Sequence, residues 1–172
     1  NGGISVGVLH YGRLELGNIS YGIDGRNLAI LHYDQNGELL WNNVVLADLA
    51  IENFGGMCYS PDGFLNIVGT YSGLIQLLAN IELQSRGGAD IFVAQLDSDG
   101  NFTWMVGAGG QYEDWATNCD VDNNGQIHVV GMIESTSQFG FINVTSNGSK
   151  DMVHATLNSL GSWQSVENYG GS

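Results

Sequence analysis

The residues best equipped for chemistry are acidic. Asp120-Val121-Asp122-Asn123-Asn124-Gly125 matches the first half of an acidic calcium loop. There Asp120, Asp122 and Asn124 would supply hard oxygens from one tight turn, and Gly125 would permit the bend. The second half departs from the pattern. Positions nine and twelve are His128 and Gly131, with no bidentate Glu. The plainer reading is an Asx turn, in which the Asp side chain bonds its own backbone two residues on. The same two readings apply to Asp97-Ser98-Asp99-Gly100. Calcium is the only cofactor these residues bring into view. His10, His32, His128 and His154 show no metal-ligand spacing among themselves, which argues against zinc. Glu113-Asp114 is a carboxylate pair, but neighbours on a strand point to opposite faces, so a solvated loop is expected. No Gly-x-Ser-x-Gly elbow is present and no Cys has an evident His partner. The expectation is a protein that is not an enzyme.

Composition narrows the setting. Eighteen acidic residues against four basic ones give a formal net charge of −14, which would repel a phosphate backbone and an anionic membrane. A field of this sign suits divalent cations and neutral sugars. No apolar run reaches the length of a membrane-spanning helix, so no membrane span is expected. The opening at Asn1-Gly2-Gly3 reads as a processed or excised segment. Cys58 and Cys119 neither demand nor exclude a disulfide, and two buried thiols are the simpler expectation. Asn-x-Ser/Thr sequons stand at Asn18, Asn101, Asn143 and Asn147 and become glycan sites if the source is a secretory eukaryote. With the low charge content, they point to an extracellular or cell-surface location.

The elements that must position these residues recur. Gly7, Gly69 and Gly131 each close a β-branched run, at a spacing of 62. A second apolar run follows each time: Asn27–Tyr33, Asp90–Leu96 and Asp151–Leu157. Each ends in an Asx-type turn followed by a Trp, at Trp41, Trp104 and Trp163. Further turns at Ser60–Gly63 and Asp122–Gly125 mark a fourth run. Leu46–Ile51 has room for one helical turn, and Leu74–Leu83 stays open between loop, short helix and strand. Turns of this chemistry between short apolar runs predict an all-β chain of antiparallel strands. Four strands per unit of about 62 residues predict a β-propeller of four-stranded blades, with one Trp per unit filling the wedge between blades. The units run about 1–63, 64–125 and 126–172, the last truncated, in a single propeller segment over 1–172 whose ring is incomplete. A solenoid of large coils is the alternative.

The stretch Gly87-Gly88-Ala89-Asp90-Ile91-Phe92-Val93-Ala94-Gln95-Leu96-Asp97-Ser98-Asp99-Gly100-Asn101-Phe102-Thr103-Trp104 resembles the bacterial β-propeller repeat called SBBP. Gly109-Gly110 and the run from Val121 to Gly131 are similar to the next part of that pattern. The middle repeat matches best; Asn27 replaces the Asp in the first, and Gly161-Ser162-Trp163 is two residues short in the third. The resemblance implies a scaffold within large secreted or surface proteins and names no ligand. The functional expectation is therefore an adhesive or structural assembly scaffold. Its partners would be other proteins or copies of itself, which would close the ring. The alternative is a carbohydrate-binding propeller lectin, with glycans as ligands. The long loops Tyr11–Gly25, Tyr71–Gly88 and Ile133–Lys150 carry Tyr11, Tyr21, Tyr71 and Phe139 as contact aromatics, unless these pack the loops down.

Overall fold

Turn chemistry sets the local structure. Asp34–Gly37, Ser60–Gly63, Asp97–Gly100, Asp122–Gly125 and Asn158–Gly161 each close with the Gly amide donating to the carbonyl of the first residue, at 2.9–3.1 Å. In the four Asx turns, Oδ1 of the first residue accepts the amides two and four residues on, as Asp97 does from Asp99 and Asn101. The closing glycines sit at φ between +76° and +91°, where a side chain would be strained. Three of these hairpins also carry a bulge just after the turn, where Leu40, Thr103 and Gln164 are the extra residues opposite His32/Tyr33, Gln95/Leu96 and Thr156/Leu157. One local code thus builds one kind of hairpin again and again.

The computed structural model describes residues 3–16, 19–21, 25–47, 51–77 and 81–171. Within them lie fifteen strands and no helix. In chain order they are β1 (Ile4–Tyr11), β2 (Leu14–Leu16), β3 (Ile19–Tyr21), β4 (Arg26–Tyr33), β5 (Leu39–Ala47), β6 (Ile51–Tyr59), β7 (Leu65–Tyr71) and β8 (Leu74–Leu77). There follow β9 (Ile81–Gln84), β10 (Asp90–Leu96), β11 (Phe102–Gly110), β12 (Trp115–Val121), β13 (Ile127–Phe139), β14 (Ile142–Leu157) and β15 (Trp163–Tyr169). All pairings are antiparallel. A first group runs β1-β4-β5, a second β6-β7-β10-β11 and a third β12-β13-β14-β15. The register recurs between the second and third groups, where Gly69 faces Phe92 and Gly131 faces Val153, each the third residue of its run; in the first group Gly7 faces Ile30, the fourth, one residue out of step. The groups are not separate sheets. Ala108–Gly110 of β11 pairs with the far end of β13, and β5 pairs with β8.

Packing explains the apolar runs. Every residue of β7 and of β10 is buried. Their alternate side chains serve two cores. Leu65, Ile67, Phe92 and Leu96 meet Leu28, Ile30 and Val45 of the first group. Val68, Ile91 and Val93 meet Ile127, Val129 and Val153 of the third. Each such side chain contributes about 1.5–3 kcal/mol by leaving water. β13 instead alternates buried and exposed from Ile127 to Ile133, because its other face meets solvent.

Several expectations are corrected here. Two of the long loops hold hairpins, β2–β3 and β8–β9. Leu74–Leu83 accordingly contains strands, with residues 78–80 outside the described residues. Ile133–Lys150 is no loop at all; β13 and β14 stay paired out to Phe139 and Ile142. The helical turn at Leu46–Ile51 falls partly on 48–50, outside the described residues, and both flanks are strand. The cysteines are not free thiols. Cys58 on β6 and Cys119 on β12 form a disulfide, with Cα atoms 5.9 Å apart. Trp163 is not the counterpart of the other two. Trp41 faces His32 and Trp104 faces Gln95, but the matching position on β15 is Ser165, facing Thr156. The shorter turn-to-Trp spacing moves Trp163 towards the turn, where it packs edge-on against Phe139 at 5.0 Å.

Candidate functional site

The groups meet at two junctions, and each is tied by a Trp. Trp41 Nε1 donates to the Ser98 carbonyl at 3.0 Å, and Trp104 Nε1 donates to the Ser159 carbonyl at 3.1 Å. A Cβ on Gly100 would lie 2.6 Å from the Trp41 ring, and one on Gly161 would lie 2.9 Å from the Trp104 ring. The indole of one group therefore lies on the glycine of the next group's turn. Asn43 Nδ2 adds a bond to the Gly100 carbonyl at 2.8 Å.

The first junction opens into a cleft of about 480 Å³ lined by His32, Leu40, Trp41, Tyr59, Asp62 and Asp97, among others. Strand pairing builds it. His32 faces Trp41 on β5, and the two rings stack at 5.1 Å. His32 faces Ser5 on β1, whose Oγ lies 2.9 Å from His32 Nδ1. Tyr59, at the end of β6, brings its hydroxyl to 2.6 Å from Ser5 Oγ and 3.3 Å from His32 Nδ1. Asp97 forms one wall, its carboxyl bound by its own turn. Burial opposes ionisation there, but hydrogen bonds from Asn101 and Asp99 outweigh it and hold the group below the usual range. Such a cleft offers hydroxyl, imidazole and carboxylate groups beside aromatic surface. Ser5 beside His32 has the outline of a nucleophile and base. The imidazole spreads its Nδ1 contacts over both Ser5 and Tyr59, and no carboxylate bond to the ring is present among the described residues.

The residues singled out from sequence are scattered. Tyr11 is exposed at the end of β1, and Tyr21 lies on β3. Tyr71 and Phe139 are core residues. Tyr71 meets Phe92 edge-on at 6.2 Å, with burial pushing its hydroxyl up to about 12, and Phe139 is fully buried. Neither offers a face to a ligand. Asp122 Oδ1 accepts the amides of Asn124 and Gln126, and Oδ2 accepts Asn124 Nδ2, so its oxygens serve the turn. Asp120 Oδ1 accepts the Val121 amide. Asp120 and Asn124 are exposed, and among the described residues no group of three or more His, Cys, Asp or Glu is placed to hold a metal ion. Asn18 lies outside the described residues. Asn101, Asn143 and Asn147 are exposed, with Asn101 and Asn147 bonded to Asp97 and Asp151.

Asp114 is another correction. It is fully buried, accepting the Gly110 and Glu134 amides and the Ser137 hydroxyl. Burial raises its pKa despite those bonds. His128 and His154 do come together, with Nδ1 and Nε2 at 2.9 Å, and His128 Nε2 lies 3.8 Å from Asp122 Oδ2. Sequence spacing missed this pair, which arises from cross-strand register, and it missed the Ser5–His32–Tyr59 cluster, which also needs packing. Knowing that β1 pairs with β4 would have joined Ser5 to His32, while Tyr59 arrives only as β6 packs against β1. No family model and no curated protein sequence matches this chain.

Proposed function

We propose that this chain is a stretch of β-propeller, made of four-stranded units of about 62 residues similar to SBBP repeats, that acts without catalysis as an assembly scaffold outside the cell. The observation that carries this reading is the repeated Trp-to-turn tie. The same contact joins the first group to the second and the second to the third, as expected of units designed to be continued. The disulfide supports an oxidising compartment, since such bonds persist there and are rare in the cytosol. Copies of the chain, or other proteins with like units, are its natural partners. Sedimentation of the purified chain over a wide concentration range is the test. Concentration-dependent assembly is expected; a strictly monomeric chain that unfolds in one cooperative step would overturn the scaffold reading.

One observation favours a second reading, that of a carbohydrate-binding propeller. The first junction keeps its polar groups in an open cleft instead of sealing them. A glycan array on the intact chain separates the two. Selective binding that is lost in His32→Ala supports the lectin, and silence across the array removes it.

A further inference from the structure

β13 and β14 stay paired beyond the third group as an arm, and Ser137–Phe139 of that arm pair with Ala108–Gly110 of β11 in the second group. At the tip of the arm Gly140 turns at φ +60°, and the Phe141 side chain stands wholly in solvent. Between the arm tip, β11, β9 and the turn that leads into β15 lies a pocket of about 400 Å³. Leu83, Met105, Val106, Phe141, Ile142 and Trp163 line it, with Ser162 and three glycines. No lining residue is charged, in a chain whose net charge is −14. Every wall belongs to the second or third group and its hairpin, and the four strands of each group are described.

One polar group in this lining has nothing to bind. Trp41 and Trp104 each donate the indole N–H to a turn carbonyl of the following group. Trp163 is turned the other way. It faces Leu157 across the β14–β15 pair, and both side chains belong to the core shared with the second group. Its Nε1 is buried and finds no hydrogen-bond partner among the described residues. A Cβ on Gly140 would lie 3.4 Å from Trp163 Cδ1, the ring atom next to Nε1, so the N–H edge of the indole is turned towards a residue of the pocket wall. An unpaired buried donor costs the fold free energy, and native structures keep few of them.

We propose that this pocket binds a small neutral molecule, flat and mostly apolar, whose single hydrogen-bond acceptor takes the N–H of Trp163. An aromatic ketone is a model for the class. The volume falls in the lower part of the range of about 300–1,000 Å³ typical of small-molecule pockets. The acidic field of the chain disfavours an anion, and the uncharged lining gives a cation no partner. The rings of Trp163 and Phe141 and the thioether of Met105 offer surface suited to a flat ring. The indole N–H then fixes which way round the ligand lies, and a filled pocket gives the exposed Phe141 a neighbour. This binding goes beyond the scaffold reading and does not depend on it.

The test adds Prodan, a neutral naphthyl ketone whose emission moves to the blue in apolar surroundings, to the intact oxidised chain. A saturable blue shift with one site per chain is expected. Acetylnaphthalene should displace the dye about tenfold more effectively than ethylnaphthalene, which matches it in size but has no acceptor. Trp163→Phe removes the donor and should bring the two competitors level. Leu83→Trp fills the pocket from a half-buried position on β9 and should abolish the shift. If either variant fails to fold, competition in the wild type still decides. The absence of a saturable shift would overturn the proposal. So would equal competition by the two naphthalenes in the wild type, or an undiminished shift in folded Leu83→Trp. Sedimentation without the dye tests the scaffold reading, so either idea can fail alone.

Discussion

The two junctions use matching positions but fill them differently. At the second, Gln95 Nε2 donates to Asn66 Oδ1 at 3.0 Å, Thr103 Oγ1 donates to Gln95 Oε1 at 3.1 Å, and Asn66 Nδ2 donates to Ser60 Oγ at 2.9 Å. Asn66 is fully buried and Gln95 nearly so. At the first, Ser5 and His32 occupy the matching register, and their network opens into the cleft. The second junction has β6 and β12 packed together and joined by a disulfide; at the first, among the described residues, β6 stands without such a neighbour. Side-chain chemistry follows from that difference. Where backbone closes the junction, polar groups must satisfy one another, because an unpaired buried group costs about 1–3 kcal/mol. Where the junction stays open, water or a ligand can do so, and ionisable or hydroxyl groups are tolerated.

The largest effect expected is on the second junction's disulfide. The bond closes a loop of 61 residues in sequence separation. Replacing both Cys58 and Cys119 by Ser should cost about 4 kcal/mol by loop-closure entropy. Urea unfolding of oxidised wild type against the double variant measures it. A loss under about 1 kcal/mol would mean that the second junction does not depend on this tie.

Next comes a contrast in buried charge. Asn27, Asp90 and Asp151 hold matching places at the head of the second apolar run, and all three are buried. Asn27 Nδ2 donates to the Gly12 and Gly25 carbonyls at 3.1 and 3.3 Å. Burial pushes the Asp90 carboxyl up from 3.8 to about 6, although the Arg86 amide donates to it at 2.7 Å. The folded state therefore holds this proton more tightly than the unfolded chain. The group's contribution to stability is complete below pH 3.8 and is lost as pH rises through about 6. Asp90→Asn should gain roughly 3 kcal/mol at pH 8 and little at pH 4. Equal unfolding midpoints for variant and wild type at pH 8 would contradict this.

Two smaller pairs sharpen the comparison. Gln95→Leu should cost about 2 kcal/mol, since it leaves Asn66 Oδ1 buried without its donor. Tyr59→Phe, at the open junction, should cost under about 1 kcal/mol. Thermal melts at one pH compare them, and equal losses would show that openness does not set the cost. Smallest is the difference between two turn glycines, both at φ +83°. Gly37→Ala meets no atom within 4 Å and should show only backbone strain of about 1–2 kcal/mol. Gly100→Ala also collides with Trp41 and should cost about 1 kcal/mol more. If the two match, the Trp41 tie carries no energy.

How much was legible differs between fold and site. The Asx turns and the closing glycines could be read directly, because each acts within five residues. So could the recurrence of Gly7, Gly69 and Gly131, since spacing along a chain needs no partner. The cleft could not. Ser5, His32 and Tyr59 are 27 residues apart at each step and meet only through pairing register and packing. Reading Trp163 as a third equivalent failed for the same reason, since two residues of turn length decided which Trp faced which neighbour.

By itself the sequence determined that this chain would be strands joined by Asp-, Asn- and Gly-coded turns, and where most of those turns fall. Hydrogen bonds within a turn are local and need nothing else. The tertiary structure alone decided that Cys58 and Cys119 join, that Asp114 and Tyr71 are buried, and that one junction is sealed while the other stays open. Those outcomes depend on which strand lies beside which, and that is set by burial of apolar faces contributed from distant parts of the chain.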